Sequence, residues 1–107
     1  MVTVVTTDTF SSIVSGTEIP VIIDFWAVWC GPCRSFSSVL DRVAEDYEGR
    51  ILVGKVNVDE EPKLSEKFHV MSIPTLGVFV GGELRETLVG SRTYQDLVSL
   101  LELYLEG

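Results

Sequence analysis

Val21-Ile22-Ile23-Asp24-Phe25-Trp26-Ala27-Val28-Trp29-Cys30-Gly31-Pro32-Cys33 runs from an apolar stretch into two closely spaced cysteines. Val21–Ala27 is almost wholly apolar and reads as a buried strand of the kind found in parallel sheets. Beyond the cysteines, Phe36, Val39, Leu40, Val43, Ala44 and Tyr47 recur at helical spacing on one face, and Gly49 stops the pattern. The cysteines therefore stand where a strand gives way to a helix. Helix N-termini carry unpaired N–H groups and a partial positive charge. Both stabilise a thiolate, which makes the first cysteine nucleophilic near neutral pH. Gly31 and Pro32 suit the start of a helix, where a proline gives up no hydrogen bond it would otherwise make. Cysteines at this spacing can close a disulfide over one helical turn. So small a loop removes little unfolded-state entropy, so such a bond is a poor staple and is better suited to opening and closing.

Outward from this junction the elements alternate. Val2–Val5 reads as a short edge strand. Thr7 or Asp8 is expected to cap a helix through Phe10, Ile13 and Val14 that ends at Gly16. Ile51–Val58 is a second apolar strand with Lys55 in its middle, and Glu60–Phe68 has helical composition. Thr75–Val80 and Leu84–Val89 flank Gly81-Gly82, a hairpin signal. Thr93 caps a last helix with Leu97, Leu100, Leu101, Tyr104 and Leu105 in one stripe. The order is β-α-β-α-β-α-β-β-α. It implies an α/β fold whose first three strands pair in parallel through right-handed crossovers and whose last two form an antiparallel hairpin. A mixed sheet with helices on both faces follows.

The 107 residues amount to one domain, 1–107, and 46% of them are hydrophobic, enough for a single core. No repeats or low-complexity segments interrupt them. A formal net charge of −8 argues against nucleic acid as a partner, which needs clustered Lys and Arg. The acidity keeps the chain soluble and can steer it toward basic patches on proteins. Met1–Phe10 has no basic region followed by an apolar run, so no signal peptide is expected. No apolar stretch is long enough for a bilayer. The expectation is a soluble, cytoplasmic protein in a reducing compartment, where a cysteine pair is more often catalytic or metal-binding than structural. A structural zinc needs four ligands, and His69 is the only histidine, so no metal is expected. Haem attachment needs a histidine where Arg34 stands.

The string Asp24-Phe25-Trp26-Ala27-Val28-Trp29-Cys30-Gly31-Pro32-Cys33 resembles the active-site segment of the thioredoxin family. Ser72-Ile73-Pro74-Thr75 resembles its cis-proline loop. Lys55, Gly82 and Gly90 fall where the family has them, and the resemblance covers essentially the whole chain. It implies the thioredoxin fold, a central mixed five-stranded sheet flanked by four helices. It also implies dithiol–disulfide exchange with protein disulfides, no bound cofactor, recharging by a flavin-dependent thioredoxin reductase, a role in cell redox homeostasis and a monomeric state. On this resemblance Cys30 is the attacking thiolate and Cys33 the less exposed resolving thiol, the two pairing as a disulfide when oxidised. Asp24 is the buried carboxylate behind them, Lys55 its neighbour, and Pro74 the cis-proline facing the disulfide. Trp29, Gly31, Pro32, Ile73, Val89 and Gly90 form the apolar docking surface. The chain departs from the family pattern at Val28, Ser38, Met71 and Ser72, and Arg34 replaces a common lysine. Ser38 stands where many members have a kinking proline, which predicts a straighter helix. Val28, Met71 and Ser72 lie near the docking surface and bear on partner choice.

Each residue also has a plainer reading. Asp24 lies between Ile23 and Phe25, which argues for burial, and strongly perturbed acids cluster at functional sites. Lys55 can reach solvent along its alkyl stem. Trp26 reads as packing, Trp29 as an exposed contact, and His69 as a surface or boundary residue. Asp59-Glu60-Glu61 reads as a solvated helix start favourable to the dipole. Two function classes compete: a reductant of protein disulfides, and a binding subunit in which redox turnover is incidental. A scaffold needs neither Asp24 nor Pro74 beside an intact Cys-Gly-Pro-Cys. The Gly-Pro dipeptide also resembles the reductase branch, whereas oxidases tend to carry a histidine between the cysteines.

Overall fold

Alternation along the Val21–Trp26 strand sorts its side chains between two cores. Ile22 packs with Phe36, Leu40, Val43, Leu97 and Leu101. Val21, Ile23 and Phe25 pack on the opposite face with Phe10, Val14 and Leu64. The computed structural model, which describes residues 1–106, builds both cores around one sheet. Its elements are β1 Thr3–Val4, α1 Phe10–Ser15, β2 Val21–Trp26, α2 Gly31–Asp46, β3 Leu52–Asn57, α3 Pro62–Lys67, β4 Thr75–Val80, β5 Glu83–Val89 and α4 Tyr94–Leu105. The strand order is β1-β3-β2-β4-β5. β1 and β2 both run parallel to β3, while β2–β4 and β4–β5 are antiparallel. Helices α2 and α4 cover one face, α1 and α3 the other. The expected order and the mixed sheet are both present. Helix α2 runs without interruption past Ser38.

Local chemistry explains where the boundaries fall. The N-cap of α1 is Thr9 rather than Thr7 or Asp8, and its side chain makes no capping bond. The Thr9 hydroxyl instead accepts from the Thr6 N–H at 3.0 Å. The Thr7 N–H and hydroxyl are taken by Glu61 Oε1, at 2.8 and 2.9 Å. Helix α4 starts in the expected place with a reciprocal cap. The Asp96 N–H donates to Thr93 Oγ1, and the Thr93 N–H donates to Asp96 Oδ2. β4 and β5 pair Val78 with Glu86 but Phe79 with Leu84, so Arg85 is the extra residue of a bulge. Gly54 is required by contact: a Cβ there would lie 2.8 Å from Val5 and 2.9 Å from Ile23.

Candidate active site

Helix α2 begins at the cysteines. Cys30 is its N-cap, with extended backbone, and the Cys33 N–H donates to Cys30 Sγ at 3.2 Å. A sulfur thus occupies the place a Ser or Asp oxygen takes in an ordinary cap. Pro32 lies in the first turn, where it costs no hydrogen bond. The two cysteines form a disulfide with Cα atoms 5.3 Å apart. Cys30 keeps 5% of its surface and Cys33 2%, so exposure separates them only slightly. Position separates them more: Cys30 is the N-cap residue and its sulfur accepts the Cys33 N–H at the positive end of the helix dipole, a setting that favours a thiolate.

Across from the cap, the Ile73–Pro74 peptide bond is cis. The Ile73 carbonyl oxygen lies 3.9 Å from Cys30 Sγ. A disulfide sulfur has no proton, so this is a packing contact. The loop is held at both ends. Thr75 Oγ1 donates to the Ser72 carbonyl at 2.6 Å, and the Gly90 N–H donates to the Pro74 carbonyl at 2.8 Å. Pro74 is buried, whereas Gly31 and Pro32 are exposed.

Around the sulfurs lies an apolar surface. Trp29 is 65% exposed and Val89 60%, joined by Val28 at 64% and Met71 at 92%, so apolar groups face water with no internal partner to cover them. Trp29, Val70, Met71, Ser72 and Ile73 line one groove of about 390 Å³. Val89 joins from β5, where it pairs with Thr75. Trp29 is anchored, since its indole Nε1–H donates to Asp59 Oδ2 at 2.8 Å. Asp59 is in turn fixed through its own N–H to Asn57 Oδ1 at 2.9 Å. Asp59 and Glu61 are therefore more than a solvated helix start. Their partners, Trp29 and Thr7, lie too far away in sequence for composition to show the contacts.

Behind the sulfurs, a cleft of about 170 Å³ is lined by Asp24, Trp26, Cys33, Arg34, Ser37 and Lys55. Asp24 shares a face with Ile22 by strand alternation, which aims it beneath the start of α2. It is 3% exposed, and its Oδ1 has no hydrogen-bond partner. Burial pushes its carboxyl up from 3.8 to about 7, against the opposing pull of Lys55. Lys55 sits opposite Asp24 in register on β3. It makes no ion pair: among the described residues the one such contact is Arg42–Asp46. Its ammonium instead lies 5.4 Å from the centre of the half-buried Trp26 ring. Trp26, read from sequence as packing, also lines this cleft, and its Nε1 has no partner. No cluster of three or more His, Cys, Asp or Glu among the described residues could hold a metal ion.

The Thioredoxin family model matches residues 1–103. The chain is 45% identical over 101 residues to Thioredoxin 1 of Nostoc sp., covering 94% of each chain. It is 44% identical over 96 residues to Thioredoxin of Synechocystis sp., covering 90% of each. It is 41% identical over 98 residues to Thioredoxin M-type, chloroplastic, of Chlamydomonas reinhardtii, covering 92% of this chain and 70% of that one.

Proposed function

The chain belongs to the thioredoxin family, and from that premise we propose that it reduces protein disulfides with Cys30 as nucleophile and Cys33 as resolving thiol. The activity itself is thiol–disulfide exchange through this vicinal pair. What supports the division of labour is the Cys33 N–H donated to Cys30 Sγ at the cap of α2, with Cys33 facing the Asp24 cleft.

In the first step the Cys30 thiolate attacks one sulfur of a substrate disulfide. A Cys30–substrate disulfide forms, and the other substrate sulfur leaves as a thiolate and takes a proton. The substrate segment lies along Trp29, Ile73 and Val89, with Pro74 and Gly90 shaping the edge. In the second step Cys33 loses its proton to the Asp24 carboxylate, directly or through a water in the cleft, and attacks Cys30 Sγ. The second substrate sulfur leaves as a thiolate and takes a proton from Asp24 or from water, so the substrate has gained two electrons and two protons, and Cys30–Cys33 is oxidised. Lys55 moderates the rise in the Asp24 pKa, so the acid still ionises near neutral pH. A flavin-dependent thioredoxin reductase restores the dithiol. The same reading places the protein in the cytoplasm as a monomer with no bound cofactor. Among the described residues no helix is long and apolar enough to cross a membrane.

Reduction of insulin disulfides, followed with a thioredoxin reductase and its nicotinamide cofactor, tests this function. Turnover should require both cysteines. Insulin left oxidised by the wild-type protein, while the reductase still consumes its cofactor, would contradict it.

A further inference from the structure

Arg92 lies just beyond β5, and one of its guanidinium nitrogens sits among three successive backbone carbonyls. Nη1 donates to Val89 O at 2.9 Å, Gly90 O at 3.3 Å and Ser91 O at 3.3 Å. Successive carbonyl dipoles that converge on one point repel each other unless a cation stands there. Val89 and Ser91 are exposed, so water would otherwise draw their carbonyls outward. The curl also needs Gly90, whose φ of +92° is the left-handed conformation that glycine adopts freely. Gly90 carries the restraint onward, because its N–H holds the Pro74 carbonyl at 2.8 Å. Arg92 has no carboxylate within ion-pair distance among the described residues, so its charge is spent on the backbone.

We propose that Arg92 is a positioning residue for substrate docking: by gathering the Val89–Ser91 carbonyls it fixes the edge that faces the Ile73–Pro74 loop. The proposal rests on the reading of Trp29, Ile73 and Val89 as the docking surface. Arg92 touches neither sulfur. Its effect therefore falls on capture of a protein segment rather than on thiol exchange, and three donors on a point cation can partly replace it.

The test measures KM and kcat for insulin, and the rate with a small aromatic disulfide that needs no docking edge, for wild type, Arg92→Gln, Arg92→Lys and Val89→Asp. Arg92→Gln should raise KM for insulin by about three- to tenfold, the scale of one ordinary hydrogen bond, with kcat and the small-disulfide rate retained. Arg92→Lys should recover most of the loss. An unchanged KM in Arg92→Gln, a parallel fall with both substrates, or a lysine variant as impaired as the glutamine one would overturn the proposal. Val89→Asp reports separately on the docking surface: if it leaves KM unchanged, the reading beneath the proposal fails rather than the role of Arg92.

Discussion

Asp24 concentrates the conflict between stability and chemistry into one side chain. A carboxyl with a buried, unpartnered oxygen is destabilising when ionised. Its folded-state pKa, about 7, lies above the ordinary 3.8. The folded protein therefore holds a proton that the unfolded chain releases, and the stability this group lends is full below 3.8. It falls as pH rises toward 7 and then levels off. Above pH 7 the ionised form costs on the order of 4 kcal/mol. Asp24→Asn should accordingly stabilise the oxidised protein in denaturant melts at pH 7 and above, and should slow single-turnover reduction. A variant that is less stable at pH 7 yet equally fast would contradict both expectations. Pro32→His puts a hydrogen-bonding, potentially cationic ring beside the Cys30 sulfur. It should make the protein more oxidising, with about 30 mV for each ~1.4 kcal/mol of added thiolate stabilisation, and a potential moved to more negative values would refute this. The burial of Asp24 could be read from its place between Ile23 and Phe25, whereas its position behind the cysteines came from the family resemblance alone. The Trp29–Asp59 bond could not be read, since it joins two loops whose approach is set only by the pairing of β2 with β3.

At the scale of elements, helix ends carry information that apolar periodicity does not. Helix α3 ends at Lys67, and His69 follows with φ of +53°. The Val70 N–H donates to Ser65 O, and the His69 N–H to Glu66 O, which is a Schellman motif with a histidine where glycine is usual. By sequence His69 is a surface or boundary residue. It is indeed exposed, but its backbone conformation is what ends the helix and launches the Val70–Ile73 segment toward the sulfurs. His69→Val should destabilise the protein by about 1 kcal/mol or more, because a β-branched side chain resists that conformation. His69→Gly should be neutral or slightly stabilising, and equal melts for the two variants would count against the strain argument. The cap of α4 was legible, since Thr93 stands directly before the apolar stripe. Thr93→Ala should cost about 1 kcal/mol in the same melts. The cap of α1 was not legible: Thr6, Thr7, Asp8 and Thr9 are equivalent by composition, and the choice among them depends on Glu61, far along the chain.

Over the whole molecule, three tyrosines fasten α4 to its neighbours. Tyr47 donates to Glu102, Tyr94 to Asp46 and Tyr104 to Glu86. They join α2 and β5 to a helix whose Leu97 and Leu101 are fully buried, so the platform beneath the cysteines is tied at several points. The order of elements and the mixed sheet followed from the alternation of apolar runs and helices, but the strand order β1-β3-β2-β4-β5 did not. Neither did these bonds, because carboxylates and tyrosines carry no periodic signal of their partners. The net charge is −8, and among the described residues a single ion pair, Arg42–Asp46, forms. Self-repulsion should therefore weaken the native state at low ionic strength, and raising salt from about 0.01 to 0.15 M, which shortens the screening length from roughly 30 to 8 Å, should raise the melting midpoint. A midpoint that falls over this range would show that the charge distribution is locally balanced. The central claim, that Cys30 attacks and Cys33 resolves, is tested most directly by trapping. Cys33→Ser, reduced and mixed with oxidised protein substrates, should accumulate mixed disulfides through Cys30, while Cys30→Ser should capture almost none. Capture that depends on Cys33 and survives Cys30→Ser would reverse the assignment.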